Sequence, residues 1–314
     1  MTETSMTELQ PGWYADPWHQ ARWRYWTGAR WTRATSGVAP PDGDVGRRDA
    51  LRKRAMSMPA PWPPPLPMVL RDRRVDLPAS AFGWGMLGLL IGIVGSAVGA
   101  IVVHLLTDSL AVEVVVSQSL LWLGLIGAVV FNARRYGTGR IRDDYQVGFR
   151  GVDVPIGLGL SLGLRIATGV IAVVVLLLLG ADATALPNVV DDYRHSTAAL
   201  VVTIVIVVVG APVVEELFFR GVLMRSLEPS LRPGGAIVVQ ALIFGSLHVN
   251  PNGTWQQNVA LTIALAAAGA GLGATAYVAK RLGTSMWTHG FFNTFAAVVI
   301  VANQLTVLGP LLRT

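Results

Sequence analysis

Along the 314 residues, long apolar stretches begin only at Ala81 and then recur almost to the C-terminal end. Runs at about 81–106, 112–132, 154–180, 197–223, 234–250, 257–279 and 285–308 stand out. Their lengths suit α-helices crossing the ~30 Å hydrocarbon core of a bilayer. The pattern predicts an all-α polytopic membrane protein of about seven transmembrane helices. Upstream of Ala81 the pattern changes. Residues 11–33 read PGWYADPWHQARWRYWTGARWTR and hold five of the ten tryptophans, Trp13, Trp18, Trp23, Trp26 and Trp31, with Tyr14 and Tyr25. These short aromatic runs, broken by turn signals at Asp16-Pro17 and Thr27-Gly28, predict a small β-type module of two or three strands. Residues 34–78 are polar, then basic from Arg47 to Arg54, then carry six prolines between Pro59 and Pro67. Such a stretch is extended and cannot build a core. The expected division is a Trp-rich module at 1–36, a basic and Pro-rich linker at 37–78, accessory transmembrane helices at 79–196 and a polar-bearing transmembrane core at 197–314.

Composition sharpens this picture. Hydrophobic residues make up 52% of the chain, charged residues 14%, and the mean hydropathy is +0.51. Soluble domains carry roughly 25% charged residues, and the values exclude a disordered, collagen-like or disulfide-stapled chain. There is no cysteine, hence no thiolate nucleophile and no Cys-type zinc site. Residues 1–80 hold 12 basic and 8 acidic side chains, so the net charge of +6 reads as topology rather than a nucleic-acid footprint. The loops alternate in charge. Segment 133–153 holds Arg134, Arg135, Arg140, Arg142 and Arg150, segment 224–233 holds Arg225 and Arg232, and segment 280–284 holds Lys280 and Arg281. The intervening loops carry Asp108, Asp182, Asp191 and Asp192 with one basic residue, Arg194. By the positive-inside rule the chain sits in the cell membrane with its N-terminus cytoplasmic and its C-terminus outside. No signal peptide is expected to open it. The excess of Arg over Lys, 23 to 2, with abundant Ala, Val and Gly, points to a bacterial source. Small residues at Gly88/Gly92 and Gly95/Gly99 give the first span a close-packing face.

Ionisable residues inside spans are costly and mark sites. Span four holds Glu215, Glu216 and Arg220. Glu216 and Arg220 share a face at i,i+4 with the acid N-terminal, the favourable order. Glu215 points about 100° away and lacks a local counter-charge, which suits proton transfer. Span five ends with Phe244 and His248 one turn apart, and span seven begins with His289 and Asn293 one turn apart. Two hydrolytic arrangements are open. Glu215 with one histidine activates water while the other histidine and Asn293 stabilise an oxyanion. Alternatively Glu215, His248 and His289 ligate a zinc-type ion that carries the water.

The same residues carry a resemblance. Glu215-Glu216-x-x-x-Arg220, Phe244-x-x-x-His248 and His289-x-x-x-Asn293, in that order on successive apolar segments, resemble the three motifs of the CPBP intramembrane protease family. That family includes the type II CAAX prenyl endopeptidases and the bacterial Abi, or bacteriocin-immunity, proteins. The resemblance covers about residues 197–308. It implies a helical membrane core acting as an intramembrane endopeptidase on membrane-associated peptides or proteins. It implies Glu215 as water-activating base assisted by His248, with His289 and Asn293 as the oxyanion hole and Glu216 and Arg220 in support. No cofactor is required on the glutamate route, which is favoured; zinc is the alternative. Residues 11–33 likewise resemble a small Trp-rich bacterial domain of unknown function, a stabilising cap or a docking module for a cytoplasmic partner. The rival readings are a non-catalytic immunity or scaffolding protein of the same fold, and a transporter or proton relay.

Depth raises a difficulty. At 1.5 Å per residue, His248 lies about 20 Å from Gly234 and Glu215 about 15 Å from Arg225. The meeting of these residues requires span five to tilt, start deeper or stop short, with segment 250–256 dipping inward and the site nearer the cytoplasmic half. Arg165, in span three, either snorkels toward the cytoplasmic face or serves as a counter-charge for the two acids. His19, His104 and His195 lie outside the clustered motifs.

Overall fold

The computed structural model describes residues 12–15, 23–27, 31–36, 77–182 and 196–308. The chain divides into two units, Met1–Asp72 and Arg73–Thr314. In the first, β1 (Gly12–Ala15), β2 (Trp23–Trp26) and β3 (Trp31–Ser36) form an antiparallel sheet in the order β1-β2-β3. The register sets Trp13 opposite Tyr25 and Trp26 opposite Trp31, with ring centroids 5.5 and 5.2 Å apart. Cross-strand aromatic pairs of this kind are what stabilise so small a sheet. Arg24 is buried and donates to the Thr32 carbonyl at 2.6 Å. Trp18, His19, the Pro-rich linker, Asp191, Asp192, Arg194 and His195 lie outside the described residues.

The second unit is helical: α1 (Ser80–Leu106), α2 (Leu110–Tyr136), the short α3 (Ile141–Asp144), α4 (Asp153–Leu178), α5 (Thr197–Ser246), α6 (Trp255–Ala279) and α7 (Leu282–Leu308). Among the described residues, six helices are long and apolar enough to cross a membrane. Their flanks expose large apolar side chains such as Leu90, Ile101, Leu162, Val170 and Val201, as lipid-facing surfaces do. This is an all-α multi-pass membrane protein carrying a small N-terminal sheet.

The fourth and fifth apolar runs are the two limbs of α5, which spans 50 residues, so the seven runs are carried by six long helices. Helix α5 is bent back on itself. Arg232 has φ 57° and ψ 168°, flanked by Pro229 and Pro233. A straight helix would hold residues 25 apart at about 37 Å, yet the Phe219 and Phe244 rings meet at 5.1 Å. The two limbs of α5 therefore form an antiparallel hairpin.

Close approach elsewhere follows from small residues. A Cβ on Gly88 would meet the Gly124 carbonyl at 2.7 Å, and one on Gly92 the Leu121 carbonyl at 2.6 Å. The small-residue face of α1 thus lies flat on α2. At one end of the helical unit the three basic segments come together. Arg225 donates to the Asp144 and Tyr145 carbonyls and to Gln146 Oε1, at 2.9, 3.2 and 2.9 Å. The Leu282 amide donates to the Gln146 carbonyl, and Arg281 pairs with Asp153 at 2.5 Å. Tyr145 is buried there and donates to the Val129 carbonyl at 2.8 Å; burial, then the neighbouring Asp144 charge, pushes its phenol above the ordinary range.

Candidate active site

The first limb of α5 is not uniformly α-helical. Ile206–Gly210 and Glu216–Met224 adopt π geometry, with the Ala211 amide bonded to the Ile206 carbonyl. In that register the next donor would be residue 212, aimed at the Val207 carbonyl. Residue 212 is proline and has no N–H. The Val207 carbonyl instead accepts from Asn293 Nδ2 of α7 at 2.8 Å. A missing backbone donor in α5 thus fixes the amide of Asn293, and π segments of this sort recur at functional sites.

Glu215 and Glu216 diverge as adjacent helical residues must. The Glu216 and Arg220 side chains are fully buried, with Arg220 Nη1 on Glu216 Oε1 at 2.8 Å. The guanidinium also donates to the Gly269 carbonyl of α6 at 2.9 Å, a group shared with Gln240 Nε2 at 3.0 Å. It lies 5.0 Å from the Phe244 ring and 5.9 Å from the Phe219 ring. Such a buried charge persists only when paired and hydrogen-bonded, and Glu216 with the Gly269 carbonyl meets that need at Nη1 and Nη2, while Nε has no hydrogen-bond partner among the described residues. His289 is buried against the same carboxylate, its Nδ1 at 3.0 Å from Glu216 Oε1. An arginine-paired carboxylate accepts, so Nδ1 carries the proton. The other nitrogen, Nε2, faces Glu215 at 3.8 Å, and the Glu215 side chain is 18% exposed. One acid is sealed in and the other is open.

His248 lies just past the C-terminal end of α5. Its Nδ1 is 2.7 Å from the Phe244 carbonyl, an acceptor, which leaves Nε2 as the basic nitrogen. The Phe244 ring separates the two imidazoles, 4.7 Å from His248 and 5.9 Å from His289. The break at Arg232 removes the depth difficulty. Counted from it, Glu215 is seventeen residues back and His248 sixteen residues on. Each also lies one turn beyond the Phe219–Phe244 contact, so the two stand level across the hairpin.

The structure thus gathers Glu215, Glu216, Arg220, Phe244, His248, His289 and Asn293 from both limbs of α5, the residues just after it and α7. Among the described residues no three His, Asp or Glu side chains form a group able to hold a metal ion. His289 lies between two carboxylates, and His248 is held across the Phe244 ring. Arg165 does not pair with the two acids. Its guanidinium lies 4.4 Å over the Phe292 ring. His104 pairs with Glu113 at 3.6 Å where α1 and α2 connect, far along the chain from the site.

Sequence reasoning passed over Pro212, Gln240 and Gly269. Pro212 inside an apolar run was the signal that a carbonyl would need another donor. Gln240 was visible as an amide in span five. Gly269, in an Ala/Gly-rich stretch, gives no sign that its carbonyl anchors Arg220.

The family model described as Type II CAAX prenyl endopeptidase Rce1-like matches residues 197–295. No curated protein and no solved structure matches the chain. The matched region holds every side chain of the cluster, and residues 197–295 are accordingly similar to the type II CAAX prenyl endopeptidase Rce1-like family.

Proposed function

We propose that the protein hydrolyses peptide bonds of membrane-associated peptides or proteins by a glutamate mechanism, without a resident metal. The observation that carries this reading is the unequal treatment of two adjacent acids. Glu216 is sealed by Arg220 and His289, whereas Glu215 stays partly open, 3.8 Å from His289 Nε2. Glu215 takes a proton from water as its oxygen attacks the scissile carbonyl carbon. His248, with Nε2 basic, assists. The tetrahedral oxyanion is held by the second Asn293 amide hydrogen and by His289, acting as an imidazolium with Nδ1–H on Glu216 and Nε2–H on the oxyanion. The proton then passes from Glu215 to the leaving nitrogen as the C–N bond breaks. Glu216 and Arg220 orient His289 and touch no reacting atom. The N-terminus is cytoplasmic and the C-terminus outside, an orientation supported by the gathering of basic segments at one end.

The test is cleavage of a membrane-peptide library by the purified full chain in detergent, with and without chelator. Glu215→Gln is expected to lower kcat by about 10²–10⁴-fold, His248→Ala by less, and chelator to leave cleavage intact. Equal cleavage by wild type and both variants overturns the mechanism. Loss on chelation transfers it to a metal, and tight binding without cleavage transfers the protein to the scaffolding class.

A further inference from the structure

Among the described residues, Arg165 is the mid-span arginine that the proposed mechanism does not use. It is the thirteenth of the 26 residues of α4, so it sits about 18 Å from either end. Side chains snorkel from near helix ends, and the middle of a span is out of that reach. Among the described residues no carboxylate stands within ion-pair distance. Glu216 is committed to Arg220 and His289, and Glu215 faces His289. The neighbour of the guanidinium is an aromatic face, the Phe292 ring at 4.4 Å, and that ring is buried. Phe292 adjoins Asn293 and lies three residues past His289, about 4.5 Å along α7. Helix α4 also packs on α6 and α7, whose residues hold the buried cluster.

An uncompensated guanidinium in hydrocarbon calls for an anion, and its planar fork suits a carboxylate bidentately. Stacking on Phe292 holds that fork without using its donors. Depth selects the source. A lipid phosphate stays at the interface, whereas a peptide entering for hydrolysis carries its own groups to mid-membrane. The geometry points to Arg165 as the substrate-carboxylate site: it pairs with a side-chain or C-terminal carboxylate of the bound peptide, close to the scissile bond. This rests on the peptidase reading, and it makes Arg165 a specificity determinant rather than a catalytic group.

The test measures binding, so that it stands apart from cleavage. Fluorescent hydrophobic decapeptides are titrated into the full chain in phosphatidylcholine nanodiscs. One peptide ends in a free carboxylate, one in an amide, and an amidated pair carries internal Glu or Gln. Wild type is expected to bind a carboxylate peptide at least tenfold tighter than its neutral twin. Arg165→Gln should abolish that preference and leave the neutral peptide's Kd unchanged, and Arg165→Lys should restore part of it. The C-terminal and internal arms tell which carboxylate is read. A preference that survives in Arg165→Gln overturns the proposal. So does an Arg165-dependent rise in Tm confined to discs containing phosphatidylglycerol, which would assign the site to lipid. Carboxylate preference without hydrolysis of any peptide would remove the mechanism proposed above and keep this site.

Discussion

Glu215 and Glu216 are neighbours in the chain, yet the fold gives them opposite surroundings, and the difference is set by single partners. Arg220 neutralises Glu216 in a fully buried pair at 2.8 Å. Removing one partner of such a pair leaves an unpaired buried charge and costs about 3–5 kcal/mol. Arg220→Ala should therefore lower the unfolding temperature in detergent by many degrees. Arg220→Lys should fall between, since it keeps the charge and loses the fork that reaches both Glu216 and the Gly269 carbonyl. Near-equal melting of all three proteins would show that the pair contributes nothing net. Pro212 acts by what it lacks. Pro212→Ala restores an N–H aimed at the Val207 carbonyl, the acceptor now used by Asn293. A helix freed of an internal proline should be no less stable. Its Asn293 amide would lose its fixed partner, so kcat should drop about tenfold or more while Tm holds or rises. A parallel fall of both would mean that the proline is needed only for folding.

At the scale of elements, the helices legible in the sequence were those whose reason for existing is hydrocarbon length. The runs at 81–106, 112–132, 154–180, 257–279 and 285–308 correspond to α1, α2, α4, α6 and α7 because an apolar stretch in lipid must satisfy its backbone internally. The Trp-rich module was legible for a different reason, since alternating aromatics need a cross-strand partner. What periodicity does not encode is register. The Val207 carbonyl of the π segment Ile206–Gly210 takes its donor from Asn293, a contact 86 residues away in sequence. The hairpin in α5 was read as a loop at 224–233, whereas the backbone stays helical to Arg232 and reverses there. Arg232, at φ 57° and ψ 168°, occupies a region that belongs almost wholly to glycine. Arg232→Gly should relieve that strain, and after the entropy lost with glycine a net gain of about 1 kcal/mol is expected. Chemical or thermal unfolding in detergent reads it. Destabilisation by this change would mean that the Arg232 side chain, not the turn, holds the limbs together.

At the scale of the whole molecule, the position of the site follows from how far each limb reaches. After Arg232 the second limb of α5 has only fourteen helical residues, to Ser246. That is about 21 Å, short of the ~30 Å core. If the end that gathers Arg225, Arg281 and the α2–α4 linker is cytoplasmic, the loop after Ser246 ends below the outer surface and His248 stands inside the bilayer. A chain with no cysteine of its own lends itself to single-cysteine probes. Asp108→Cys lies between α1 and α2, Arg140→Cys in the linker after α2, and Asn252→Cys in the loop before α6, all exposed. In intact spheroplasts of the expression host, a membrane-impermeant maleimide should label Asp108→Cys rapidly and leave Arg140→Cys untouched until the membrane is opened. Asn252→Cys should label from outside, but slower than Asp108→Cys by about an order of magnitude, because the short limb holds its loop under the interface. Labelling of Arg140→Cys from outside would invert the molecule. Equal rates at 108 and 252 would place the loop in bulk water, and the two histidines would then have to work at an open surface rather than in a recess of the membrane.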